Sequence, residues 1–250
     1  MSSESSTAGH LDIGGVFEAT TEIYKKSFGT VWLVALALLL PAAIIVWLLG
    51  DSGLGGFLGS LVNLVATAWL VGAVIRVVQD VEQDGKVDWS VGEILGSVTS
   101  KLVWIILLQI VLGILIGIGL VFFIIPGVIL ALMWIVAMPA LVVEDRGVFD
   151  SLSRSSDLTR HNRMRILGIG IVIVLVYVAI VLVGALLVAA IPVVGIILLV
   201  ALGVALFPYI AIIAAVLFYR LVELKEGVVV AVEETGVVEE SADTPPTPGT

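Results

Sequence analysis

Long uncharged stretches alternate with short charged blocks along this chain. The uncharged stretches are Ser27–Gly50, Ser52–Ile75, Leu102–Val143 and Ile166–Tyr219. A helix rises 1.5 Å per residue, so about 20 apolar residues cross the ~30 Å hydrocarbon core of a bilayer. The first two stretches therefore predict one membrane helix each, and the two longer ones predict two helices each.

Glycine and proline mark the turns between these helices. Asp51-Ser-Gly-Leu-Gly-Gly56 joins the first two helices, Pro126-Gly127 divides the third stretch, and Ile191-Pro-Val-Val-Gly195 divides the fourth. The predicted fold class is an all-α polytopic membrane protein, with six transmembrane helices arranged as three hairpins. The predicted spans lie at about residues 28–50, 54–78, 102–124, 127–143, 166–190 and 196–220.

An amphipathic segment precedes each hairpin. Apolar residues recur at helical spacing in 13–28 and in 91–102, and more weakly in 148–156, with charged residues on the opposite faces. Ser90 and Glu93 match a capping box at the start of the second segment. Each hairpin is therefore expected to begin with a helix lying in the membrane interface.

The composition supports membrane insertion and limits the chemistry. The chain has 250 residues, 60% hydrophobic and 13% charged, with no cysteine and two histidines. Disulfides and thiolate metal sites are excluded, no metal or cofactor is expected, and nucleic acid is not an expected partner. The predicted membrane domain covers residues 12–223, between a disordered N-terminus at 1–11 and an acidic, disordered tail at 224–250.

The basic residues predict the orientation. All 12 Lys and Arg lie in the charged blocks on one side of the predicted hairpins, and the turns on the other side carry only Asp51. Positively charged segments favour the cytoplasmic side. We therefore expect a multi-pass protein of the cell membrane with both termini in the cytoplasm.

The predicted spans contain no ionisable side chain except at their ends, which argues against proton relays and ion-coupled transport. Asn63, Thr67 and Gln109 are candidates for hydrogen bonds between helices, or for contacts to a substrate. One proline lies within a predicted membrane helix of each hairpin, and each can kink its helix or free a carbonyl group for binding. These prolines are Pro41, Pro139 and Pro208.

A basic segment follows the fourth span, and no catalytic motif accompanies it. An anionic lipid headgroup could bind there, since basic clusters at the cytoplasmic surface gain about 1 kcal/mol per charge. The alternative is that these residues only set the orientation. The candidate lipid contacts are Arg154, Arg160, His161, Arg163 and Arg165.

Three segments resemble the membrane domain associated with bacterial and archaeal glycerophosphodiester phosphodiesterases, and related stand-alone multi-pass proteins. They are Pro126-Gly-Val-Ile-Leu-Ala-Leu-Met-Trp134, Pro139-Ala-Leu-Val-Val-Glu144 and Ser151-Leu-Ser-Arg-Ser-Ser-Asp-Leu-Thr-Arg160. The resemblance spans about residues 12–222, and it departs from the group at His161, where glycine is common. It implies a fold and a membrane location without enzymatic activity, because catalysis in the fused enzymes belongs to a separate soluble barrel.

Two functional hypotheses follow. The first is a non-enzymatic membrane module that engages membrane lipids, or an unidentified membrane or cytoplasmic protein, through its interfacial helices and basic loop. The second is a transporter or channel for a neutral or lipidic substrate. A cavity at mid-membrane, lined by Asn63, Thr67 or Gln109 and reached from one side, would favour the second.

Overall fold

The computed structural model describes residues 11–85 and 88–239, and within these residues it is helical and has no strand. Six segments are long and apolar enough to cross a membrane. The predicted all-α fold with six spans is thereby confirmed, and the chain is a multi-pass membrane protein. The helices are α1 (Ile13–Leu49), α2 (Gly53–Asp84), α3 (Val91–Thr99), α4 (Leu102–Phe122), α5 (Ile124–Met133), α6 (Ala137–Val143), α7 (Val148–Thr159), α8 (Arg163–Ala190) and α9 (Pro192–Glu239).

Three helical hairpins form the membrane domain. Helix α1 packs along α2, α4 packs along α5, and α8 packs along α9. The three tight turns lie at one end of the molecule, called here the turn end. The charged connections lie at the opposite end, called here the charged end.

Single residues make two of the three turns. Phe123 separates α4 from α5, and Ile191 separates α8 from α9. The first of these turns comes three residues before Pro126, where the sequence predicted it. Pro126 itself falls in the first turn of α5, where a missing N–H costs no helical hydrogen bond. Gly127 packs directly on α4, and a Cβ there would lie 2.5 Å from the backbone nitrogen of Leu120. The close approach of the two helices therefore requires this glycine.

The first predicted leader is not a separate interfacial helix. It is continuous with the first span as α1, a helix of 37 residues and ~56 Å. Between the leader and the apolar part of the span, Gly29 is the weakest helix former and no proline is present. An established helix extends more easily than a new one starts. The leader therefore extends α1 beyond the membrane at the charged end.

The other two leaders are separate helices. Helix α3 begins with the predicted capping box, in which the Glu93 carboxylate accepts the Ser90 N–H at 2.8 Å and the Ser90 hydroxyl accepts the Glu93 N–H. Helix α7 is packed into the protein, with Val148 and Leu152 buried. Phe149, assigned by pattern to the same apolar stripe, is instead 76% exposed.

The fourth span is broken into two helices. Residues 134–136 interrupt it between α5 and α6, where the sequence pattern predicted one helix over 127–143. Pro139, near the start of α6, has no N–H to offer the carbonyl group of Ile135. The break leaves the Met133 carbonyl oxygen to accept hydrogen bonds from Ser155 (2.8 Å) and Thr159 (3.3 Å) of α7.

The chain is helical beyond the predicted end of the membrane domain. Helix α9 continues to Glu239, into the segment predicted to be disordered, because helix extension needs no new nucleus. Leu11, assigned to the disordered N-terminus, is 1% exposed and packs in the core. The rest of the predicted termini, at 1–10 and 240–250, lies outside the described residues.

The hydrophobic core lies towards the charged end. In α2 the buried hydrophobic core residues fall between Ala66 and Val81, and in α9 between Ala211 and Leu221. The most apolar stretch of α2 is 50% buried within the chain, against 6% for α8. Towards the turn end, large apolar side chains such as Trp47 and Val121 are exposed, as expected for helices surrounded by lipid.

Candidate functional site at the charged end

The predicted basic residues lie in α7, in the turn that follows it and in the first turn of α8. The core beneath this region includes Leu158 and Ile166, both buried. The five side chains therefore lie above buried core residues. They divide into two groups, one bound by contacts within the chain and one at the surface.

Arg154 joins three helices through ion pairs. Its guanidinium group lies 2.8 Å from the Glu144 carboxylate, which follows α6, and 3.6 Å from Glu226 in α9. The Arg154 and Glu144 side chains are only 18% and 19% exposed. A partly buried bidentate pair of this kind holds α7 in place. The Arg154 guanidinium group is therefore bound within the chain and is not a free cation at the surface.

Arg165 and Asn162 together hold the N-terminal segment. The Arg165 guanidinium donates a hydrogen bond to the carbonyl oxygen of Leu11, and the Leu11 N–H donates one to Asn162 Oδ1 at 3.2 Å. Asn162 is 8% exposed. Sequence reasoning did not select Asn162, although its position directly before a long apolar helix was a usable signal, since Asn is common at helix N-termini.

The other three predicted contacts form a surface, called here the exposed basic turn: Arg160, His161 and Arg163. Arg160 and His161 are exposed. Arg163 is half-buried, and its Nε atom has no hydrogen-bond partner among the described residues. Met164, next in the chain, is 80% exposed and places an apolar side chain beside the charges.

The start of α8 adds to this positive surface. No side chain caps the N-terminus of α8, because the Asn162 side chain accepts the N–H of Leu11 instead. Uncapped N–H groups at a helix N-terminus, together with the helix dipole, attract anions. The exposed basic turn therefore combines long cationic side chains with a backbone suited to an anionic group.

A second set of charges fixes the neighbouring connection between α6 and α7. Lys101 Nζ lies 2.7 Å from Asp145 Oδ1 and donates to the Val142 carbonyl oxygen at 3.1 Å. The hydrogen bond and charge of Lys101 hold the pKa of Asp145 below its usual value. Arg146 pairs with Glu144. These contacts position α7 and hence the exposed basic turn.

The three predicted prolines lie in different parts of their helices. Pro41 and Pro208 lie within uninterrupted helices, whereas Pro139 follows the break in the fourth span. Near Pro208, the Tyr24 hydroxyl donates to the carbonyl oxygen of Ala205 at 3.3 Å. Hydrogen bonds from other helices thus reach the Met133 carbonyl oxygen, six residues before Pro139, and the Ala205 carbonyl oxygen, three residues before Pro208.

The three predicted intramembrane polar residues do not come together. Thr67 donates within its own helix, to the carbonyl oxygens of Asn63 and Leu64 at 2.8 and 3.1 Å. Gln109 has a buried Oε1 atom without a partner in the described part of the chain. Asn63 is exposed and lines a cleft of about 620 Å³ between α1 and α2, near the turn end.

Comparison with known proteins adds no assignment. No family model, curated protein or solved structure matches the chain. Within residues 11–85 and 88–239, no group of three or more His, Asp or Glu side chains could hold a metal ion. The geometry of the charged end is thus the basis for a functional proposal.

Proposed function

We propose that this protein is a non-enzymatic membrane module that binds anionic lipid headgroups through the exposed basic turn. The observation that carries the proposal is the exposure of Arg160 and His161 beside the half-buried Arg163, at the uncapped start of α8. Arg154 and Arg165 stabilise the structure around the site and do not bind the lipid, because their guanidinium groups make contacts within the chain.

The chemistry of this surface fits a phospholipid better than a soluble anion. Two arginines at a membrane surface attract an anionic headgroup by about 1 kcal/mol each. The uncapped start of α8 offers N–H groups to a phosphate. Met164, at 80% exposure, can enter the apolar part of the same lipid.

The proposal includes a location. The charged end faces the cytoplasm of the cell, with both termini on that side, because basic residues are retained there during insertion. The resemblance to the membrane domain of glycerophosphodiester phosphodiesterases supports the location, and it contributes no activity to the proposal. A reporter enzyme that is active only in the cytoplasm, fused to either terminus, should be active in both fusions.

A titration of the purified protein tests lipid binding. Short-chain phosphatidylglycerol is added to the protein in a neutral detergent, and Arg160→Gln with Arg163→Gln is expected to raise the apparent Kd about 30-fold, from two lost charges. The matched control is Lys25→Gln with Lys26→Gln, which removes two exposed charges from the same end without touching the contacts that hold α7. An unchanged Kd in the first double variant, or an equal loss in the control, would refute a localised site.

A transporter or channel for a neutral or lipidic substrate is the second candidate. The cleft lined by Asn63 favours it, since it reaches into the membrane from the turn end. Below the cleft, however, Val34, Ala35 and Ala68 are buried in the core. Transport would therefore need a second conformation that opens this layer, and substrate uptake into proteoliposomes would reveal it.

A further inference from the structure

Leu11, which precedes the first residue of α1 by two positions, is bound to the start of α8. Both of its backbone polar groups are used: the N–H donates to Asn162 Oδ1 at 3.2 Å, and the carbonyl oxygen accepts from the Arg165 guanidinium. The Leu11 side chain is buried in the core, at 1% exposure. These contacts are called here the Leu11 latch.

The latch uses residues of the same short stretch as the exposed basic turn. Asn162 lies between His161 and Arg163, and Arg165 follows Arg163 by two residues, ~3 Å along the axis of α8. A phosphate at the start of a helix lies near the helix axis, because the first N–H groups point along it. A long side chain from another face of the first turn can therefore reach the same phosphate.

Arg165 has a neutral partner in the latch. The Leu11 carbonyl oxygen leaves the positive charge of Arg165 uncompensated, whereas the Glu144 carboxylate compensates that of Arg154. A guanidinium group binds a phosphate through two parallel hydrogen bonds between opposite charges, which is a stronger contact than one bond to a neutral carbonyl. A phosphate held by the exposed basic turn therefore competes with Leu11 for Arg165.

The latch can open without unfolding a helix. Leu11 lies before the residue that caps α1, and the cap does not depend on it: Asp12 accepts the Gly14 N–H at 3.0 Å, and its carbonyl oxygen accepts the Val16 N–H at 3.2 Å. Opening removes two hydrogen bonds and exposes one apolar side chain. A local opening of this size is separate from global unfolding.

We propose that the Leu11 latch is an autoinhibitory contact that keeps Arg165 out of the lipid site. With the latch closed, the exposed basic turn binds an anionic headgroup through Arg160 and Arg163. With the latch open, Arg165 adds a third cation to the same site. This inference rests on the proposed lipid binding and adds its regulation. The coupling is reciprocal, so an open latch favours the lipid and the lipid favours an open latch.

The titration with short-chain phosphatidylglycerol tests the latch. Leu11→Gln replaces a buried apolar side chain by an amide that is costly to bury unpaired, so it favours the open latch. The apparent Kd should fall about fivefold, as expected for one added charge at a membrane surface. Leu11→Gln with Arg165→Gln should lose this gain. Val16→Thr introduces polarity at another position with 1% exposure, and it should not lower the Kd.

Hydrogen exchange on the wild type gives a second measurement that needs no substitution in the latch. The Leu11 amide is bonded to Asn162 only when the latch is closed. Saturating phosphatidylglycerol should therefore accelerate its exchange about fivefold, by the same coupling factor. Phosphatidylcholine should have no effect, and neither should phosphatidylglycerol added to Arg160→Gln with Arg163→Gln.

Three results would overturn the latch. They are an unchanged or higher Kd in Leu11→Gln, a lower Kd that persists when Arg165→Gln is added, and an unchanged or slower exchange of the Leu11 amide with phosphatidylglycerol. None of them refutes the lipid site itself. That site is tested separately, by the loss of affinity in Arg160→Gln with Arg163→Gln while Leu11 is intact.

Discussion

The hydroxyl group of Tyr24 in α1 donates a hydrogen bond to the carbonyl oxygen of Ala205 in α9, over 3.3 Å. Ala205 lies three residues before Pro208, which cannot bond to the helix turn that precedes it. Trp32 donates to the same Tyr24 hydroxyl at 3.3 Å, and the Tyr24 ring packs edge-on against Tyr209. The first and third hairpins are thereby joined where proline loosens the backbone.

Removing this hydroxyl should loosen the contact between the two hairpins. Tyr24→Phe keeps the ring packing but leaves Trp32 without its acceptor, and we expect a loss of about 1 kcal/mol in the free energy of unfolding. Unfolding in mixed micelles by added dodecyl sulfate measures it. Tyr177→Phe, which removes a hydroxyl from an exposed tyrosine of α8, should have little effect, and equal losses would argue against the contact.

The two hydroxyl groups that donate to the Met133 carbonyl oxygen should be needed to stabilise the broken fourth span. Ser155→Ala with Thr159→Val leaves the Met133 carbonyl oxygen without these donors, and we expect a destabilisation of about 1–3 kcal/mol. Ser153→Ala on the exposed side of α7 is the matched control. The same micelle unfolding assay measures both, and a stable double variant would show that the break does not depend on α7.

Arg165 and Arg160 should respond differently to the same substitution. Arg165→Gln breaks the hydrogen bond to Leu11 and should cost about 1.5–3 kcal/mol of stability, as for a hydrogen bond to a charged group. Arg160→Gln at an exposed position should stay within about 0.5 kcal/mol of the wild type. Limited proteolysis near the N-terminus is an independent readout, and accelerated cleavage is expected in Arg165→Gln alone.

Glycine should be required where helices touch and dispensable elsewhere. Gly127→Ala and Gly195→Ala place a methyl group against the backbone of the preceding helix, which should cost about 1–3 kcal/mol. A methyl group added at Gly113 or Gly117 in α4 would meet no heavy atom of another part of the described chain within 4 Å. Gly113→Ala should therefore be neutral or stabilising, and thermal unfolding in detergent compares the variants.

The Lys101–Asp145 pair should make stability depend on pH in the acidic range. Lys101 lowers the pKa of Asp145 below the usual value for an aspartate. A carboxylate with a depressed pKa adds stability above its unfolded pKa, and this is lost as the pH falls through the folded pKa. The Tm difference between the wild type and Asp145→Asn should be constant well above the ordinary Asp pKa of about 3.9 and should shrink as the pH falls below it. A difference that does not change with pH would contradict the pairing.

The apolar spans could be read from the sequence because their signal is local. A charge in hydrocarbon is costly wherever it sits, so the uncharged stretches marked all six spans without reference to any tertiary contact. The capping box at Ser90 and Glu93 was readable for the same reason, since both partners lie within one helical turn. The precise turn residues were not, because Pro126 is compatible with both a turn and the first turn of a helix.

The candidate site depended on contacts that are distant in the sequence. Five basic residues in one segment looked equivalent, but Glu144 and Glu226 bind Arg154, and Leu11 binds Arg165, from other parts of the chain. The sequence by itself determined the six apolar spans and the end at which charge collects, because hydrophobicity and charge act through single residues. Only the tertiary structure decided which of these cations are held by contacts within the chain and that Asn63 lines the cleft between α1 and α2. Burial and pairing arise when separate helices meet.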